Sequence, residues 1–377
     1  MIQSPGILLT IAAFVCVIGP LVFVHEMGHY LAGRLFGVKA EVFSIGFGRE
    51  IAGVTDRRGT RWKFGWLPLG GYVKFAGDMN PASQPTADWL ALPADERGRT
   101  FQAKPVWQRA IVVAAGPIVN FVVAMIILGA FALAYGDARM PPVVGQVTPG
   151  SAAAAADIRR GDTIVALGGR KIETFDDMVR YVRIRAGDRV RIDLRRDGAS
   201  MSREAVIGTD LQRDRFGNEY RLGRLGLVGG KLVSEPVGLL EAPAIAVART
   251  GDIVQMMVET IGQVVSGRRS VKELGGPLSI ARVSGEQLSL GLPAFVFLIA
   301  LVSINLGFIN LLPVPMLDGG HLFFYAIEAV RRRPVEPQVQ EWAYRGGLAA
   351  ILALMILVTF NDLGSFGLWT KLAGLIG

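Results

Sequence analysis

Only three histidines occur in the 377-residue chain, and two of them form the run His25-Glu26-Met27-Gly28-His29. On a helix, residues i and i+4 project from one face, so both imidazoles can bind one Zn²⁺. Glu26 stands beside them, where a carboxylate can take a proton from water activated by the metal. With three histidines and 15 glutamates in the chain, chance assembly of this spacing is on the order of one in a thousand. The bland alternative is a pair of polar residues closing the end of an apolar helix. Ionisable groups at membrane depth are costly and mark function, which favours the site. His25 and His29 are therefore expected as metal ligands and Glu26 as a general base.

A catalytic zinc takes three protein ligands and leaves a fourth position open. Glu41 and Glu50 follow the motif, but both fall in a predicted hairpin. The first and third apolar segments run in the same direction, so their late residues lie at similar depth. Asp318, which follows Pro313 and Pro315 at the end of the third, reaches the level of His25. His321, three residues on, reaches it too, and depth alone does not choose between them.

The elements that must hold these residues are read from composition. Hydrophobic residues make up 51% of the chain and charged residues 19%, against about a quarter charged in ordinary soluble proteins. Residues 1–24, 110–136 and 287–317 contain no Asp, Glu, Lys or Arg, and each run exceeds the roughly 20 residues that cross a bilayer as helix. A fourth run, 346–361, reaches that length by absorbing Asp362 or its neighbours. No Lys or Arg precedes the first run and no small-residue cleavage site follows, so it reads as a retained span. The pattern predicts a polytopic α-helical membrane protein with about four transmembrane helices. The lone Cys16 excludes an intramolecular disulfide. The net charge of +8 is spread with both signs interspersed; it suits a surface beside anionic lipid and gives no reason to invoke nucleic acid.

Residues 39–48 and 61–75 mix aromatic and β-branched residues, and the turn-like Asp56-Arg57-Arg58-Gly59 between them suggests a β-hairpin. A hairpin dipping into the membrane and a small sheet outside it fit equally well. Residues 142–210 read as an α+β module of short strands with an amphipathic helix from Thr174 to Arg185. The stretch from Val147 to Ile172 is similar to a PDZ domain, a fold that binds peptides by adding a strand to a sheet edge; a plug that binds nothing is the alternative. Apolar positions at helical spacing from 237 to 272 suggest a helix on the membrane surface or against that module. Asn120 and Asn305 read as helix–helix hydrogen bonds.

Three motifs together carry a wider resemblance. His25-Glu26-Met27-Gly28-His29, the run Ala115-Gly116-Pro117-Ile118-Val119-Asn120, and residues 310–321 (NLLPVPMLDGGH) resemble the site-2 protease family of intramembrane zinc metalloproteases. Residues 67–75 (LPLGGYVKF) and the PDZ-like insertion are similar to its bacterial regulator of sigma-E protease group. The resemblance implies that His25, His29 and Asp318 ligate Zn²⁺, that Glu26 is the general base, and that Asn310 contacts substrate or helps stabilise the transition state. It implies cleavage of single-span membrane proteins within the lipid bilayer, among them an anti-sigma factor or signal-peptide remnants, after another protease has trimmed the outer part. Room for one PDZ-like module, where the best-known enterobacterial type has two, is a departure from the pattern. The alternative function is a non-proteolytic membrane scaffold with a PDZ-like peptide-binding module and structural zinc.

The expected layout in a bacterial inner membrane starts with span one and its HExxH over 1–36. A cytoplasmic-side, membrane-associated β region follows over 37–105, then span two over 106–136. A periplasmic PDZ-like domain occupies 137–232 and an amphipathic juxtamembrane segment 233–290. Span three with Leu317-Asp318-Gly319 covers 291–321, a cytoplasmic loop 322–343, and span four with a C-terminal tail 344–377. Arg331, Arg332 and Arg333 in a short loop favour the cytoplasm for that side, and with it the active site.

Overall fold

The computed structural model describes residues 6–77, 93–213, 219–267 and 275–365. The chain divides into two compact units. One holds the chain up to Leu128, the segment Val247–Gln255 and the C-terminal helices. The other holds Gly129–Ala246 and the stretch that begins at Met256.

The first unit is built on long apolar helices: α1 (Ile7–Leu35), α2 (Val106–Tyr135, whose last turns belong to the second unit), α7 (Leu292–Leu311) and α9 (Pro337–Ser365). All four have the length and composition to cross a membrane. Helix is the conformation such runs must adopt, because lipid offers no partner to a free backbone N–H or C=O. Ala13, Val17 and Leu21 of α1 pack on Phe295 and Leu298 of α7. Ile7, Leu8, Ile126 and Ile356 point outward and exposed, as a surface facing acyl chains requires. Asp362, the charge inside the fourth run, is buried and caps another helix, α6 (Pro277–Ser289). Its carboxylate accepts from the N–H groups of Gly276 (3.2 Å) and Ser279 (3.0 Å) and from Ser279 Oγ (2.5 Å), satisfying donors that a helix start leaves open.

Between α1 and α2 lie β1 (Ala40–Thr55) and β2 (Arg61–Phe75), antiparallel and joined by a turn in which Asp56 accepts from the N–H groups of Arg58 and Thr60. Register shifts give Val42–Ile45 partners on both sides, Gly71–Lys74 and Arg61–Phe64, so the ribbon folds into a curved sheet with Gly71–Phe75 along one edge. Its inner face joins Phe43 and Phe75 to Tyr30 of α1, Val112 of α2 and Tyr325. Phe64 and Trp66 are 56% and 63% exposed.

The second unit contains a four-stranded sheet in the order β6 (Arg170–Lys171), β5 (Thr163–Leu167), β7 (Arg189–Arg196), β8 (Ala199–Val206). Helix α4 (Phe175–Arg183) begins with a capping box between Thr174 and Asp177, the arrangement that satisfies two orphan donors reciprocally. It buries Phe175, Met178 and Val182 against Ile164, Leu167, Ile192 and Leu194. Three short two-stranded pairings complete the unit: β3 (Asp137–Arg139) with β12 (Val233–Glu235), β4 (Val144–Val147) with β11 (Leu227–Gly229), and β9 (Gly208–Arg213) with β10 (Glu219–Arg224). A short α3 (Ala152–Ala155) and part of the long α5 (Ala242–Val265) also belong to it.

One expectation changes. The segment 322–343 is not simply a loop: α8 (Asp318–Arg331) runs through its first half, because Leu322 and Tyr325 join the apolar cluster under the hairpin. The third apolar helix ends at Leu311, ahead of the Pro313 and Pro315 segment, since proline cannot donate to a helix. Gly319 and Gly320 lie beyond that segment. They lie inside α8, where a Cβ on Gly320 would meet Pro315 Cα at 2.8 Å and one on Gly319 would strike the carbonyl groups of Leu311 and Leu312. Their lack of side chain lets α8 nest into the turn.

Candidate metal centre

α1 places His25 and His29 one turn apart, facing α2 and the start of α8. His29 Nδ1–H donates to the carbonyl of Val112 (2.9 Å), which leaves its Nε2 lone pair pointing into the site. His25 Nδ1 lies 3.1 Å from the carboxamide of Asn120, whose Oδ1 is otherwise buried without a partner. The two ends of an amide are assigned by hydrogen-bond chemistry. Turning Oδ1 toward His25 satisfies that oxygen and holds the proton on Nδ1, again freeing Nε2. Ser303 Oγ of α7 donates to the backbone carbonyl of Asn120 (2.7 Å).

The freed nitrogens meet one carboxylate oxygen. His25 Nε2 and His29 Nε2 are 3.2 Å apart. Asp318 Oδ2 lies 3.2 Å from the first and 3.5 Å from the second, is buried, and has no hydrogen-bond partner. Three converging acceptors repel one another unless a cation lies between them. Their separations match the edge of a tetrahedron with zinc–ligand bonds of about 2 Å, which is about 3.3 Å. Among the described residues this is the one cluster with metal-ligand geometry, and it fits zinc.

The convergence depends on close approach of α1 and α2. A Cβ on Gly28 would lie 2.6 Å from the Ala115 carbonyl oxygen, and one on Gly116 would strike the His29 ring. On the other side, Met316 adopts φ 83° in the turn before α8. This strained conformation for a side-chain-bearing residue is of the kind found where function fixes the backbone.

A cavity of about 440 Å³ opens beside the cluster. Glu26, Asn310 and His321 line it, together with Gly70, Gly71, Tyr72 and Val73 from the sheet edge. All five residues expected at the site therefore meet there. His321, the rival third ligand, contacts Tyr344 instead, through Nδ1 at 2.8 Å. Asn120 is the residue that sequence reasoning assigned elsewhere. Its signal was its place one turn after Gly116 in a motif already singled out. Asn305 is exposed, with no helix–helix hydrogen bond to any of the described residues.

The profile of peptidase family M50 matches residues 13–354. The chain belongs to peptidase family M50, the site-2 protease family. Relatives of this M50 peptidase carry the same chemistry in their names. A zinc metalloprotease of Agrobacterium fabrum is 44% identical over 360 residues, covering 94% of this chain and 96% of its own. One of Mesorhizobium japonicum is 43% identical, covering 94% and 98%. The metalloprotease MmpA of Caulobacter vibrioides is 35% identical, covering 98% and 99%. The M50 chain is accordingly a zinc metalloprotease and a multi-pass membrane protein. The scaffold alternative does not survive that membership.

Proposed function

We propose that this peptidase cleaves peptide bonds in or near the transmembrane segments of single-span membrane proteins, with His25, His29 and Asp318 holding the zinc and Glu26 as general base. The observation that carries the proposal is the triangle of two imidazole nitrogens and one carboxylate oxygen at 3.2–3.5 Å, buried among apolar helices and opening on the cavity that Glu26 lines. Bound zinc supplies Lewis acidity to the attacking water and to the scissile carbonyl. Glu26 takes the proton of that water and returns it to the leaving amine. Asn310, which lines the same cavity, contacts the substrate or helps stabilise the transition state.

A transmembrane helix hides its peptide bonds in its own hydrogen bonds and must unwind before hydrolysis. The freed groups then need partners. The sheet edge Gly71–Phe75 lies beside Glu26 and offers a strand to pair with. The exposed Phe64 and Trp66 favour a sheet that dips into the membrane over one lying outside it. The β-rich module we read as PDZ-like and periplasmic. Its groove between α4 and β11, lined by Phe175, Met178, Val182, Leu225 and Leu227, is of a kind that admits an extended chain. The active site then lies toward the cytoplasmic side of a bacterial inner membrane. An anti-sigma factor trimmed by another protease is the regulatory substrate this arrangement suits.

Glu26→Gln tests the reading in membranes carrying a single-span reporter. Cleavage is expected to fall to background with zinc content unchanged. Full-rate cleavage by the variant removes Glu26 from the mechanism.

A further inference from the structure

His321 has no task in the mechanism above. It lines the cavity with Glu26, Asn310 and Asp318 and follows Asp318 by three residues, on the same face of α8. Its ligand atoms are not part of the zinc triangle. Nδ1 faces Oη of Tyr344, a buried residue of α9, at 2.8 Å. The His321 and Tyr344 rings lie 5.2 Å apart, and the Phe324 ring packs 5.8 Å from that of Tyr344.

That contact chooses a tautomer. A phenol is the better donor and the lone-pair nitrogen of imidazole the better acceptor, so Tyr344 O–H donates to Nδ1. The neutral ring then carries its proton on Nε2. Among the described residues Nε2 has no hydrogen-bond partner. A fixed donor without a partner, beside a base and a metal centre, is placed to meet charge that develops only during reaction.

We propose that His321 is a further catalytic residue: its Nε2–H donates a hydrogen bond to the scissile carbonyl oxygen as negative charge builds there, and Tyr344 is the positioning residue that holds the proton on that nitrogen. The fourth span thereby acts on the chemistry through one hydroxyl. This inference rests on the zinc and Glu26 assignment of the proposed function, and Glu26→Gln in the same assay tests that assignment separately.

The experiment uses the full-length protein purified in detergent, a single-span reporter, and metal analysis of each variant. His321→Leu is expected to keep its zinc and its KM and to lose about a hundredfold in kcat, the scale of one lost oxyanion donor. His321→Gln, whose amide N–H reaches the same place, is expected to recover much of the loss. Tyr344→Phe is expected to lower kcat several-fold without changing zinc content. Unchanged kcat in His321→Leu, or equal losses in the leucine and glutamine variants, overturns the donor role. Loss of zinc from a His321→Leu protein that still elutes as a folded species overturns it in favour of a ligand. If His321→Leu does not fold, Tyr344→Phe decides: a several-fold fall in kcat supports the proposal and an unchanged kcat refutes it.

Discussion

The two units differ in where they put polar side chains. In the β-rich module the interior is apolar, with Ile164, Leu167, Ile192 and Leu194 inside and ion pairs such as Lys171–Glu173 and Arg191–Asp193 on the surface. In the helical unit large apolar side chains face outward, while His25, Glu26, Asn120, Ser303 and Asp362 are buried. A soluble core gains by removing apolar surface from water. A helix in lipid gains nothing that way and associates through close backbone contact and polar pairing. The helical unit therefore holds a cluster of polar side chains within its apolar packing, and the candidate metal centre lies there. Losses there should strike activity, and losses in the module should strike stability.

The sharpest break of that contrast is Asp318→Ala. It should abolish zinc binding and cleavage while leaving the module's thermal unfolding unchanged; retained zinc, measured by metal analysis, would return the third-ligand role to another residue. Gly28→Val comes next. The new side chain must push α1 from the Ala115 backbone, and a displacement near 1 Å costs about a hundredfold in rate. Steady-state cleavage reads it, and an unchanged rate would mean that the helices can part without harm. Asn120→Ala removes only the partner of His25, a ligand in the proposed site, so competition with a chelator should show zinc affinity lower by about 10–100-fold.

On the module side, Leu194→Ala should destabilise by about 2–5 kcal/mol with zinc content intact. Asp162, only 1% exposed at its side chain, should give the smallest effect. Burial pushes its carboxyl up, but two hydrogen bonds from Arg196 at 2.7 Å and one from the Arg159 N–H outweigh that and hold it below the usual range. A depressed folded pKa contributes stability that is full above about pH 4, the unfolded value, and is lost as pH falls through the lower folded value. Thermal unfolding of the module should therefore weaken below about pH 4, and Asp162→Asn should flatten that dependence.

Much of this was legible before any fold. His25, Glu26 and His29 are local, and a helix of any kind puts them on one face. The hairpin also followed from local pattern, with its turn at Asp56, although β1 continues to Thr55 beyond the expected end at Gly48. Asn120 and Tyr344 were not legible in the same way. Each acts on a histidine 95 or 23 residues away, and no periodicity within its own helix records that partner. Motif spacing assigned no task to Gly319 and Gly320; only the nesting of α8 against Val314 and Pro315 shows that they serve close approach.

The sequence by itself determined a membrane chain with two histidines and a glutamate set close together on one helix, because hydropathy and i, i+4 spacing are properties of single segments. The tertiary structure decided the rest. Asp318 and not His321 closes the triangle, Asn120 steadies His25, and His321 turns to Tyr344. Those choices depend on helices from distant parts of the chain meeting within a few ångströms, and spacing along one segment carries no information about such distances.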